Sequence, residues 1–136
     1  MRIDIFTRAI EEAQQQGQPG YLVEATCDSL RSALQAEKPR AAALSSLIHL
    51  HARVEDTLEG LQQLQVPAPS QPWHERLLEA FCWYETGLIG LYSYLAEEED
   101  VSPHDAFEVL RAADEAVVAY REVAANKLSE PVETLL

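Results

Sequence analysis

Two acidic side chains and a histidine could meet on facing helices of this chain. His51 falls on the same flank of its predicted helix as Leu47 and Val54, and Glu55 follows one helical turn later. Glu85 falls near the middle of the apolar face of a second predicted helix. A charged side chain on an apolar face needs a partner, a proton or a hydrated cavity, because burying an isolated charge is costly. We therefore expect His51, Glu55 and Glu85 to meet inside a helical bundle.

Three interpretations of this polar pocket stay open. The first is a hydrogen-bonded His–Glu pair without a catalytic role. The second is a pocket for a small ligand, lined also by Tyr92. The third is a metal site, because imidazole and carboxylate groups are the usual metal ligands in helical bundles. The Glu-x-x-His motif of dinuclear bundle sites does not occur in the sequence, and we expect neither a metal nor another cofactor.

The sequence carries no motif of hydrolytic or nucleotide chemistry. Gly-x-Ser-x-Gly, a glycine-rich phosphate loop and His-Glu-x-x-His are all missing from it. His49 is expected on the surface of its helix, as in histidine phosphotransfer modules, which the chain resembles in size and class only. The lysine and glycine that follow the histidine of those modules are not found after His49. We therefore assign no catalytic residue and expect no enzymatic activity.

Helices are the elements that must position the pocket. Apolar residues recur at helical spacing in five segments separated by breakers, and no strand pattern is found. Three of these segments come before a predicted linker at residues 66–72, which contains three prolines. The sequence thus predicts an all-α fold with helices over 3–16, 21–36, 40–65, 73–97 and 103 to about 127.

A short internal similarity suggests how these helices are arranged. Residues 22–27 (LVEATC) resemble residues 77–82 (LLEAFC), at an offset of 55 residues. Two similar helical hairpins, about 21–65 and 73–128, would pack as an antiparallel four-helix bundle. The N-terminal helix would be an added fifth element. We expect a single domain over residues 1–136.

The far side of the helix at 73–97 points to an interaction. It carries Trp83, Gly87, Gly90 and Tyr94. Glycine costs about 1 kcal/mol relative to alanine inside a helix, so a glycine pair is typical of places where another backbone comes close. A helix that is apolar on both faces is normally covered on both. The candidate covers are the first helix of the chain, a second copy of the chain, and a helix of a partner protein.

The charge of the chain limits its partners. The net charge is −13, and residues 69–136 hold 14 of the 23 acidic side chains but only 4 of the 10 basic ones. Nucleic acids and anionic membranes are excluded as partners because both are recognised by clustered Lys and Arg. The acidic field either keeps the protein soluble or steers a basic partner toward it.

The number of cysteines and the length of the apolar runs indicate where in the cell the protein is expected. Cys27 and Cys82 are too few for a disulfide scaffold, and both are predicted to be buried thiols on apolar stripes. The N-terminal residues do not look like a signal peptide, and no apolar run approaches the roughly 18 residues of a membrane span. We expect a cytoplasmic protein.

The function expected from these observations is a non-enzymatic interaction module. It would bind a protein partner, or itself as a homodimer, through the face of Trp83, Gly87, Gly90 and Tyr94, where aromatic side chains are typical of interface hot spots. One alternative is a helical bundle that binds a small ligand or metal in the pocket of His51, Glu55, Glu85 and Tyr92. A second alternative is a helical export or assembly chaperone.

Overall fold

Five α-helices and one short 3-10 helix form the structure, a computed structural model. It describes residues 2–16, 22–98 and 101–135, with side chains described as far as Glu122. No strand occurs within these ranges, so the prediction of an all-α fold is confirmed. A 3-10 helix at Ala68–Ser70 leads directly into the fourth α-helix. The helices are α1 (Arg2–Gln15), α2 (Leu22–Leu34), α3 (Pro39–Gln63), α4 (Gln71–Leu95) and α5 (Pro103–Leu135).

Prolines mark the beginnings of three helices. Pro39 and Pro103 are the first residues of α3 and α5, and Pro72 is the second residue of α4. Proline suits the first turn, where its missing N–H has no partner in the helix anyway. The predicted end of α5 near residue 127 is wrong, since the helix continues through Pro131 to Leu135. The fixed φ of proline is compatible with helical backbone, so its cost there is a lost hydrogen bond and local crowding.

One apolar core joins all five helices. α4 packs against α3 on one side and against α5 on another, while α2 contacts α1, α3 and α5. The described part of the chain has no helix that is both long and apolar enough to cross a membrane. The largest fully buried apolar side chains are Phe6, Ile10, Leu30, Leu47, Leu88, Leu91, Leu95 and Leu110.

The glycine pair of α4 lies against α5. A Cβ atom added at Gly87 would lie 2.6 Å from Leu110 Cδ2 and 3.1 Å from the Ala106 carbonyl oxygen. A Cβ added at Gly90 would lie 3.3 Å from Ala106 Cβ. The glycines therefore allow the close approach of another helix, as the sequence indicated. That helix is α5 of the same chain rather than one of the three expected covers, because α5 packs on the glycine side of α4 and leaves the Leu88 side to α3.

A buried acid holds the N-terminus of α2. Asp114 of α5 is 1% exposed, and its carboxylate accepts hydrogen bonds from the backbone N–H groups of Leu22 (3.0 Å) and Val23 (2.9 Å). These N–H groups belong to the first turn of α2 and have no acceptor within the helix. Asp114 thus caps α2 from a distant part of the sequence, and its negative charge lies at the positive end of the helix dipole.

Two hydroxyl groups complete this buried polar region. The side chains of Thr26 and Tyr84 are hydrogen-bonded to each other, and both hydroxyls are within hydrogen-bond distance of the Leu22 carbonyl oxygen. Burial raises the pKa of Tyr84 to about 12, and the nearby Asp114 charge acts in the same direction. We refer to Thr26, Tyr84 and Asp114 as the closed cluster, because all three are buried.

The two cysteines differ in exposure. Cys27 is buried, and burial raises the pKa of its thiol to about 11, with the Asp28 charge adding to the effect. Cys82 is exposed, so the prediction that both thiols are buried is wrong for this residue. The reason is the phase of α4. Tyr84 and Leu88 point into the core, and Cys82 lies on the outer side.

Candidate functional site

The structure brings His51, Glu55 and Glu85 together at the junction of α3 and α4. Nδ1 of His51 is 3.5 Å from Glu55 Oε1, on the same helix, and Nε2 is 3.7 Å from Glu85 Oε1, on the facing helix. Hydrogen bonds between nitrogen and oxygen are usually about 2.7–3.2 Å long, so both contacts are long for hydrogen bonds. We call these three residues the open cluster.

The open cluster lies at the edge of the core rather than inside it. The side chains of His51 and Glu85 are partly buried, and that of Glu55 is 59% exposed. Nε2 of His51 is itself shielded from solvent and makes no hydrogen bond with any group that the structure describes. Sequence analysis placed the cluster inside the bundle. The helix phases instead place it at the edge of the contact between α3 and α4, which leaves one carboxylate accessible to solvent.

Tyr92 lies near the open cluster but in a separate apolar groove. This α3–α4 groove has a volume of about 260 Å³, and His51 is the residue that it shares with the cluster. Its walls include Ile48 and Ile89, both exposed to solvent. The remaining lining residues are Leu47, Leu88, Tyr92, Ser93 and Glu98. The structure thus links the predicted polar pocket to a neighbouring apolar surface through one imidazole ring.

The four residues predicted to form an interface do not share one open surface. Trp83 is 48% exposed, whereas Gly87 is buried by α5 and Gly90 is partly buried by it. Tyr94 is buried, with the guanidinium of Arg2 from α1 4.7 Å from its ring centroid. The same guanidinium donates a hydrogen bond of 3.0 Å to the Tyr94 carbonyl oxygen. Of the four, Trp83 has the largest exposed side chain available to a partner.

Trp83 belongs to a groove between α4 and α5 that the sequence analysis did not identify. This α4–α5 groove has a volume of about 330 Å³ and is mostly apolar. At its other end lies Trp73, whose ring is 4.9 Å from the guanidinium carbon of Arg76. The helical spacing of Trp73, Ala80 and Trp83 could have revealed the stripe. The full lining is Trp73, Arg76, Glu79, Ala80, Trp83, Ala116, Ala119 and Tyr120.

Small side chains line part of the α4–α5 groove. Ala80 comes from α4, and Ala116 and Ala119 come from α5, so little side-chain volume fills the space between the two helices. The aromatic side chains of Trp73, Trp83 and Tyr120 line the same groove. Such a trough can accommodate an apolar side chain of a ligand, in the manner of a helix-binding groove.

Comparison of the chain with protein-family models, with curated protein sequences and with solved structures finds no match. The chemistry of the sites therefore rests on their own geometry. Two regions stand out for different reasons. The α4–α5 groove offers exposed aromatic surface, and the open cluster offers one imidazole and two carboxylates within 4.8 Å of one another.

Proposed function

We propose that this protein is a non-enzymatic interaction module that binds a basic, amphipathic helix of a partner protein in the α4–α5 groove. The observation that carries the proposal is the half-exposed indole of Trp83 in an apolar groove that three alanines also line. Tryptophan is enriched among the residues that dominate the binding energy of protein interfaces. An apolar stripe of a helical ligand would cover Trp83 and fill the trough, the usual mode of helix-in-groove recognition.

Charge favours a basic partner. Glu79 of α4 lines the groove together with Arg76. Glu75 on α4 and Glu115 and Glu122 on α5 are further acidic side chains exposed on the same two helices. Negative potential of this kind attracts a cationic segment and raises its rate of association. Two copies of a chain with a net charge of −13 would repel each other, so we favour a different protein over a second copy as the occupant.

In the same proposal the protein is a single cytoplasmic domain, and α2 to α5 form an antiparallel four-helix bundle with α1 as an addition. The contacts of α4 with α5 support this arrangement, because Gly90 lies against Ala106 while Gly87, earlier in α4, lies against Leu110, later in α5. The contact partners thus run in opposite directions along the two helices. The one apolar core that joins all five helices supports a single domain.

The experiment compares two equally exposed side chains of α4. Trp83 and Ile89 are each 48% exposed, but Trp83 lines the α4–α5 groove and Ile89 lines the α3–α4 groove. Wild type, Trp83→Ala and Ile89→Ala would serve as baits in extracts of the native host, with a thiol reductant present. Any captured protein would be identified, purified and titrated against each variant by calorimetry.

We expect Trp83→Ala to weaken binding of the purified partner about 30-fold or more, which corresponds to about 2 kcal/mol. Ile89→Ala should bind as wild type does, and circular dichroism should show equal helicity in all three proteins. Equal binding by wild type and Trp83→Ala would contradict the proposal. Light scattering adds a second test, since a wild-type dimer that dissociates in Trp83→Ala would identify a second copy as the occupant instead.

A further inference from the structure

The geometry points to a binding site for a divalent transition-metal ion, which we represent by Zn²⁺, formed by His51, Glu55 and Glu85. The site lies on the α3 side of α4, away from the α4–α5 groove, so the inference is independent of the proposed interaction. One imidazole nitrogen and one oxygen from each carboxylate all lie within 4.8 Å of one another. These are ligand types that transition-metal ions accept in helical proteins.

The donor atoms lie close enough together for a shared ion, while the contacts of the imidazole are long for hydrogen bonds. In a tetrahedral site with bonds of about 2.0–2.1 Å, ligand atoms lie about 3.3–3.4 Å from one another. The contact of His51 Nε2 with Glu85 Oε1, 3.7 Å, is close to this spacing. The 3.5 Å contact of Glu55 is with the other ring nitrogen, Nδ1, so Glu55 must turn from Nδ1 to share an ion bound at Nε2. Rotation of the two glutamate side chains would complete the coordination, because both are long and at least partly exposed.

One nitrogen of the imidazole also lacks a hydrogen-bond partner among the described residues. Nε2 of His51 is shielded from solvent, yet it makes no hydrogen bond with the described residues. A buried nitrogen without a partner costs free energy, and coordination to a metal ion would remove that cost.

The scaffold fixes most of the site before an ion binds. His51 and Glu55 are separated by one turn of α3, which holds them on one face. Leu47 of α3 and Leu88 of α4 are fully buried one turn away from the cluster, and their packing holds the two helices together. The entropy cost of metal binding is therefore mainly the loss of conformational freedom in the two glutamate side chains.

The donor set selects the kind of ion. A neutral imidazole favours Zn²⁺ and its neighbours in the first transition row, whereas Ca²⁺ and Mg²⁺ prefer all-oxygen sites. Two carboxylates balance the double charge of the ion. Three protein ligands leave at least one position open for water or for a ligand, as in zinc sites that are not purely structural. The 59% exposure of Glu55 gives an ion a path to the site.

The test is a zinc titration of protein purified without a metal-affinity tag. Calorimetry with ZnCl₂, checked by competition with a chromogenic chelator, would be run on wild type, His51→Ala and Glu85→Gln. His49→Ala is the matched control, because His49 is an exposed histidine two residues away on the same helix. Cys82→Ser controls for zinc binding by the exposed thiol.

We expect one zinc ion per chain, with affinity at least tenfold weaker in both His51→Ala and Glu85→Gln and unchanged in His49→Ala and Cys82→Ser. Substitution of Co²⁺ should give visible absorption bands in wild type that Glu85→Gln loses, with helicity unchanged. The inference is overturned by three results. These are no saturable zinc binding at micromolar concentrations, equal losses in His49→Ala and His51→Ala, or Ca²⁺ binding as tight as that of Zn²⁺.

Discussion

Two consecutive residues of α4 belong to two polar regions that differ in burial and in hydrogen bonding. Tyr84 belongs to the closed cluster, which lies between α2, α4 and α5, and Glu85 belongs to the open cluster, between α3 and α4. In the closed cluster the polar side chains make hydrogen bonds, and each is buried. In the open cluster the contacts are long, and solvent reaches at least one carboxylate.

This difference distinguishes polar side chains that stabilise the fold from polar side chains that are available for binding. The partners of the closed cluster are backbone groups at the start of α2, which could not be left without hydrogen bonds in the core. These contacts therefore have a structural reason to exist. Among the described residues no hydrogen bond joins the open cluster to a backbone group, and Nε2 of its imidazole makes none. Polar groups that the fold does not need are the better candidates for function.

The largest effect is expected from removing the acid of the closed cluster. Asp114→Ala leaves the buried N–H of Val23 and the partly buried N–H of Leu22 without an acceptor and removes a helix cap, so the free energy of unfolding should fall by about 3 kcal/mol. Glu85→Gln on the open side should change it by at most about 0.5 kcal/mol, because partly exposed ion pairs contribute little. Urea denaturation of both variants measures the difference. Similar losses would remove the distinction between the two clusters.

A smaller effect is expected at the contact of α4 with α5. Gly87→Ala places a methyl group 2.6 Å from Leu110 Cδ2, and the fully buried leucine must shift, so stability should fall by about 2 kcal/mol. Gly60→Ala is the matched control in α3. No atom lies within 4 Å of the added methyl group, and the helix should gain about 1 kcal/mol. Thermal denaturation would show opposite shifts, and a stable Gly87→Ala variant would mean that α5 can move away without cost.

The smallest of the three effects concerns alkaline pH. The pKa of Tyr84 is raised to about 12 in the folded state from an ordinary value near 10, so the folded state favours the protonated phenol. The stabilisation is fully present below pH 10 and is lost as the pH rises toward 12. At pH 11 the loss should be about 1.4 kcal/mol. Denaturation of wild type and Tyr84→Phe at pH 8 and pH 11 isolates this residue.

Tyr84→Phe serves as the reference because other groups of the protein also titrate at alkaline pH and destabilise both proteins. The prediction is therefore that wild type loses about 1.4 kcal/mol more than Tyr84→Phe between the two pH values. Equal losses would show that the phenol reaches solvent in the folded protein, which would contradict the description of this cluster as closed.

The sequence was sufficient for the helical class and for the neighbourhood of His51, Glu55 and Glu85. Periodicity places side chains on helix faces, and a histidine and glutamate one turn apart are held together by the helix itself. The end of α5 could not be predicted from the sequence. Whether a helix continues through Pro131 depends on the balance between the free-energy cost of the proline and the interactions of the whole helix. The helix that covers Gly87 could not be predicted either. It depends on which side of α4 the last helix packs against, and the pattern of apolar residues in one helix does not contain that information.

Asp114 was missed although the sequence contains the signal. It lies among Leu110, Ala113 and Val117, which are buried positions of one α5 face. The reasoning that singled out Glu85 applies equally to this acid on an apolar face. Its role could not be predicted, however, because its partners are backbone groups of α2, about 90 residues away in the chain. Tertiary capping of this kind has no local sequence pattern.

The exposure of Cys82 has a practical consequence for any study of association. Cys82 immediately precedes Trp83, and its thiol is accessible, whereas the Cys27 thiol is buried and its pKa of about 11 keeps it protonated at neutral pH. Air oxidation could therefore join two molecules covalently beside the aromatic groove and imitate a dimer. The same accessibility makes Cys82 a natural attachment point for a fluorescent dye that reports on events at that tryptophan.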